Sequence, residues 1–158
     1  MLIEDTLRGG LIARTVAAET EAHGIANFAD AYGDYAAGAA AAPSAITPAG
    51  VAAGKAAMQA AMVGINAPGQ GVPKIVSGVI AFWGGVAAGL SASFPGAVAI
   101  VPPPFAALAP ALATVAALNM GEGASLQTAM GRWAQAIHAQ TVIGGVVTYP
   151  GPVASPIL

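Results

Sequence analysis

The residues able to do chemistry are few and widely separated. His23 and His138 are the only histidines in the 158-residue chain, and there is no cysteine. Without a His-x-x-x-His pair or a thiolate, a metal site has no ligand set to start from. Glu19 precedes His23 by four residues, which on a helix gives an ordinary solvated carboxylate–imidazole pair. His138 falls one residue past an apolar stripe ending at Ile137, at the C-terminal end of a helix. The helix dipole favours an imidazolium there, and a pH-sensitive switch is the functional alternative. Asp30 and Asp34 share a helix face at i, i+4, but nothing nearby completes a coordination sphere, so solvation is expected. No Gly-x-Ser-x-Gly occurs, and Glu122 is the only acid beyond residue 34, which leaves a nucleophilic hydroxyl without an orienting carboxylate. Gly69-Gln70-Gly71-Val72-Pro73-Lys74 has the glycines and lysine of a phosphate loop but neither its spacing nor a preceding strand. These shortages point away from an enzyme, and no catalytic residue, metal or cofactor is expected.

Charge is scarce and unevenly placed. The chain has five Lys and Arg and seven Asp and Glu, 8 % of its residues. An average domain of this length would hold roughly 40 charges. Six of the seven acids (Glu4, Asp5, Glu19, Glu21, Asp30 and Asp34) lie in the first 34 residues, which with Arg8 and Arg14 net −4. The remainder carries only Lys55, Lys74, Glu122 and Arg132, and the 47 residues from Ile75 to Gly121 have no charge. So few basic residues provide no footprint for a phosphate backbone, and nucleic acid is not an expected partner. A composition 56 % hydrophobic is the opposite of a disordered one. The first ten residues, acidic at Glu4 and Asp5, do not have the basic-then-apolar pattern of a secretory signal. An uncharged body this long is expected to be covered by protein or lipid.

The elements that would position these residues are mostly helices. Leu7, Leu11 and Val16 give an incomplete stripe behind a cap at Asp5 or Thr6, and Gly9-Gly10 weakens it. Ile25, Phe28, Tyr32 and Tyr35 step by 3, 4 and 3, so the first segment is helical in one or two pieces. Thr47-Pro48 opens a second helix with Val51, Met58, Met62 and Ile65, stopping near Asn66. Pro73 opens a third, carrying Ile75, Val79, Phe82, Val86 and Leu90, with Val76, Ile80 and Trp83 on another face. Ala97 to Val101 reads as extended. The last of Pro102-Pro103-Pro104 opens a fourth helix bearing Phe105, Leu108, Leu112 and Val115, with Pro110 as a late start or kink. Ser125 caps a fifth with Leu126, Met130, Trp133 and Ile137. The β-branched run from Thr141 to Tyr149 suggests a strand, and Pro150, Pro152 and Pro156 keep the tail extended. The expected fold is therefore mainly α, a small bundle of about five helices with a short C-terminal strand and a Pro-rich tail. Its parts are an acidic helical segment over 1–40, an Ala/Gly-rich helical body over 44–140 and an extended arm over 141–158. Ile65 to Gly71 and Leu118 to Gly123 are similar enough to suggest a weak internal duplication.

Ala81, Gly85 and Gly89 recur every four residues on the third helix, a ladder that admits another backbone at close range. Ile75 to Phe94 supplies 20 residues without a charge, enough to span a membrane, although four glycines and three serines dilute its hydrophobicity. The prolines after it and the single flanking Lys74 favour a buried helix in a multi-subunit shell over a span.

Between Phe82 and Leu158 the layout resembles small structural proteins of tailed bacteriophages, of the tail and baseplate type. Carrying the resemblance are Phe82-Trp83, the segment from Phe94-Pro95-Gly96 to Pro102-Pro103-Pro104, Ala136-Ile137-His138-Ala139, and the closing Gly144-Gly145 to Gly151-Pro152-Val153. It covers about half the chain as a matter of style and order, with no diagnostic motif. It implies a non-enzymatic virion subunit of the tail that meets copies of itself and other tail or baseplate proteins. The expected interface residues are Phe82, Trp83, Leu90, Trp133, Tyr149, Pro150, Val153, Ile157 and Leu158, since aromatics dominate interface centres and an extended tail can add a strand to a neighbour's sheet. The alternative is a small membrane protein of holin or pore type spanning with residues 75–94. A ligand-binding helical domain with an apolar pocket is a third class that the composition allows, with no polar contacts to name for it.

Overall fold

Helix boundaries follow local chemistry closely. In the computed structural model, which describes residues 2–15, 19–38, 40–41, 44–93, 99–101, 105–142, 146–148 and 154–156, six α-helices make up most of the chain. They are α1 (Glu4–Thr15), α2 (Glu21–Ala37), α3 (Pro48–Met62), α4 (Gly71–Ser93), α5 (Leu108–Glu122) and α6 (Leu126–Thr141). The hydroxyls of Thr20, Thr47 and Ser125 cap α2, α3 and α6 by accepting from the backbone N–H groups of His23, Gly50 and Thr128. Each satisfies a donor that the first helical turn leaves unpaired. At the other end of α5, Gly123 takes the left-handed conformation (φ 59°) and returns its N–H to Asn119 O.

The helix count differs from the five expected because the N-terminal segment folds as two helices. α1 begins at Glu4, ahead of both caps expected for it, with Glu4 and Asp5 in its first turn. α3 stops at Met62 rather than near Asn66, and a turn from Val63 follows, stitched by Ile65 N–H to Met62 O (3.1 Å) and Ala67 N–H to Gly64 O (3.1 Å). Pro110 kinks nothing: a 3₁₀ turn, Phe105–Ala107, leads into α5, so the proline falls in its first turn, where no intrahelical donor is lost. Thr141, expected to open a strand, instead closes α6 with its hydroxyl on Ile137 O (2.8 Å). Short antiparallel pairings complete the chain: β1 (Ala40–Ala41) with β2 (Ser44–Ala45), and β3 (Ala99–Val101) with β4 (Val146–Thr148), which also pairs with β5 (Ala154–Pro156).

One core serves all the helices. Leu7 and Leu11 of α1, Tyr32 and Tyr35 of α2, Met58 and Met62 of α3, Val79, Phe82, Trp83 and Val86 of α4, Leu108 and Leu112 of α5 and Ile137 of α6 are all buried in it. Val16, the last member of the α1 stripe, lies outside the described residues.

The tightest joint is α3 against α4, and it explains the ladder of small residues. A β-carbon added to Gly85 would lie 2.5 Å from Ala53 O, and one added to Gly89 would lie 2.6 Å from the Gly50 Cα. From the other side, a β-carbon on Gly54 would meet Phe82 O at 2.8 Å. Gly50 opposite Gly89 and Met62 opposite Gly78 make the pair antiparallel. The close-approach surface expected on the third helix is thus occupied from within the chain.

Candidate functional site

Polar groups drawn into this core pair with one another. Trp83 donates its indole N–H to Tyr32 Oη (2.9 Å), and Thr141 donates its hydroxyl proton to Ile137 O (2.8 Å). The 3.3 Å contact between Tyr32 Oη and Thr141 Oγ1 therefore has one consistent direction, with Tyr32 donating and Thr141 accepting. Nearer the surface, Tyr35 Oη and His138 Nδ1 meet at 2.8 Å. Burial pushes the Tyr32 phenol up to about 12, against the hydrogen bonds to Thr141 and Trp83. Burial also drives Tyr35 well above the ordinary tyrosine value, with the neighbouring Tyr32 adding to the effect. Aromatic edges tie the same residues together, Phe82 standing T-shaped to Tyr32 (4.9 Å between centroids) and to Trp83 (5.7 Å). The network is a way of burying hydroxyl, indole and imidazole groups without leaving them unpaired.

Other polar residues are engaged in ion pairs rather than solvated alone. Asp34 receives Arg14 (2.6 Å) and Asp30 receives Lys55, so the two acids of the α2 face, expected to be solvated, bind α2 to α1 and α3. Arg132 bridges Glu122 (2.6 Å) and Asn119 Oδ1 (3.1 Å), joining α5 to α6. Glu19 and His23 do not form the helical pair expected from their spacing: Thr20 is the N-cap, so Glu19 lies outside the helix.

A cavity of about 440 Å³ opens beside the first turn of α2. Its apolar wall includes Ile25 and Phe28 of α2, Met62 of α3, Ile75 of α4, and Met130 and Trp133 of α6. Among the described residues its polar lining is Glu19, Thr20, Glu21 and Asn66, with no basic side chain. Glu21 is held in place by the Gly64 N–H, which donates to its Oε1 at 2.7 Å. Among the described residues no three metal-ligating side chains cluster. No family model, curated protein or solved structure matches the chain.

The expected interface residues meet different fates. Phe82 and Trp83 are fully buried in the chain's own core, Trp83 with its N–H satisfied, so they are corrected from interface to core residues. Trp133 is half-buried and faces the cavity. The side chain of Leu90, and all of Tyr149, Pro150, Val153, Ile157 and Leu158, lie outside the described residues. Sequence reasoning missed the cavity and the Tyr32–Trp83 bond. The available signal was Tyr32 and Tyr35 on an otherwise apolar stripe, since a buried phenol requires a partner.

Proposed function

We propose that the chain is a non-enzymatic structural subunit of a phage tail or baseplate, or of a related contractile assembly, held to its neighbours by apolar contact. The observation that carries this reading is the outer face of α5. Leu118 (46 % exposed) and Met120 (82 % exposed) stand on its opposite flanks, with exposed Ala109, Ala113 and Ala117 alongside, and α5 carries no charge before Glu122. Leu126 (42 % exposed) follows at the start of α6. Obligate interfaces have this composition, depleted in charge and rich in apolar atoms. The internal pairing of the polar core groups is what a scaffold needs, and the layout from Phe82 to Leu158 supplies the tail or baseplate setting. The C-terminal segment, whose strands β4 and β5 pair with β3 within the chain, would then act by adding a neighbour's strand at the β5 edge of that sheet. The test is light scattering of the full chain against a Leu118→Lys, Met120→Lys double variant. The proposal expects a multimer that the two lysines reduce to monomer with unchanged circular dichroism. A wild-type monomer at all concentrations, or a multimer indifferent to the lysines, overturns it.

One observation favours a second reading. Gly71–Gly89 and Phe105–Glu122 are both long and apolar enough to cross a membrane, and the second is only 17 % buried within the protein. A small membrane protein would remain with lipid on carbonate extraction, whereas a tail subunit would be released.

A further inference from the structure

We propose that the cavity beside the start of α2 is a binding site for a hydrophobic cation, an aryl- or alkylammonium molecule. The site goes beyond the assembly role and stands apart from it, because the α5 face contributes no residue to the cavity.

Size and wall chemistry come first. A volume of about 440 Å³ is that of a small-molecule pocket. The wall offers two kinds of surface: Met62 and Met130, whose thioethers adapt to irregular shapes, and Phe28 and Trp133, whose ring faces attract a cation. The two tryptophans differ in a telling way. Trp83 is sealed in the core with its N–H on Tyr32, whereas Trp133 is half-buried at the cavity and has no hydrogen-bond partner among the described residues.

Charge then selects the ligand. Glu19 and Glu21 both line the cavity and no basic residue does, in a segment of 34 residues that nets −4. Gly64 N–H fixes the Glu21 carboxylate before any ligand arrives, so its position is prepaid by the fold. Glu19 is exposed and has no partner among the described residues, so it is available to an ammonium group. The N-terminus of α2 does not turn the site toward anions, because Thr20 Oγ1 already accepts from His23 N–H (3.1 Å) and Glu21 sits in the first turn. A neutral apolar molecule would fill the wall and leave both carboxylates without a counter-charge; an anion would face them.

The test titrates three isosteric probes into the full chain: phenylbutylammonium, phenylbutanol and phenylbutyrate. Binding is read from the NMR signals of the Met62 and Met130 methyls and the Trp133 indole N–H. The ammonium probe is expected to move all three signals, with a Kd about tenfold below that of the alcohol and lower still than that of the carboxylate, a preference that weakens as salt is added. Glu19→Gln, at an exposed position before the helix, should retain the fold and cut the cation preference about fivefold. Equal affinity for the three probes, no movement of the Met and Trp133 signals, or a preference untouched by Glu19→Gln would each overturn the assignment.

Discussion

Tyr32 is the residue on which the buried polar chain turns, since it accepts from Trp83 and donates to Thr141 with a single hydroxyl. Tyr32→Phe keeps the ring that packs edge-on against Phe82 but strands the Trp83 N–H in a fully buried place. Leaving such a donor unsatisfied costs about 1–3 kcal/mol, so chemical denaturation should show a loss of that size, and Thr141→Val, which leaves the buried Tyr32 O–H without its acceptor, a loss of the same order. The same phenols set an alkaline limit. Tyr32 titrates at about 12 when folded against 10.0 when free, so the folded form is favoured fully below pH 10 and loses that advantage as pH rises toward 12. Tyr35, shifted in the same direction, adds to the loss. A pH titration of tyrosinate absorbance and circular dichroism should therefore show ionisation of these two rings coinciding with unfolding rather than preceding it.

Among the helices, the α3–α4 joint makes a sharp prediction because adjacent glycines differ. Gly85 has Ala53 O within 2.5 Å of where a β-carbon would go, whereas Gly84 has nothing within 4 Å. Gly85→Ala must push two backbones apart and is expected to cost about 1–3 kcal/mol, read as a lowered Tm. Gly84→Ala should stabilise by roughly 0.5–1 kcal/mol, since it only removes freedom from the unfolded chain. Equal effects at the two sites would mean that the helices do not cross as described. This is also the scale at which sequence was most and least informative. Thr47-Pro48 and Ser125 marked helix starts correctly because a cap is decided by three or four neighbouring residues. The stripe of Ile25, Phe28, Tyr32 and Tyr35 marked the inner face of α2 for the same reason. The ladder of Ala81, Gly85 and Gly89 announced a close approach without naming who approaches, because that depends on how α3 folds back. Asp34 with Arg14, 20 residues apart, and Tyr32 with Thr141, 109 apart, are products of tertiary packing that no local pattern encodes. The cavity was equally invisible: it exists only where the ends of four helices converge, and Glu19 reaches it because Thr20, rather than an earlier residue, is the cap.

For the whole molecule, the proposed assembly role would have the division between a charged N-terminal segment and an uncharged body decide where neighbours sit. Asp34 and Asp30 of α2 are tied to Arg14 and Lys55 and Glu21 faces the cavity, while the exposed α5 face lies in the 47 residues without charge. Assembly through that body, with the C-terminal arm reaching a neighbour, predicts that deleting Thr148 to Leu158 leaves the helical circular dichroism intact but reduces incorporation into particles. Sedimentation of the truncated chain with its assembly measures this, and normal incorporation would rule out a role for the arm.

The glycine-lined joint also orders events in time. α3 and α4 are joined by the run of turns from Val63 to Gln70 and make the most extensive helix pairing among the described residues, whereas the Tyr32–Thr141 bond closes a span of 109 residues. Local contacts cost little loop entropy and form early, so the α3–α4 hairpin is the expected folding nucleus and the docking of α6 a late step. Destabilising the hairpin at Gly85 should then slow folding, while Thr141→Val should chiefly speed unfolding.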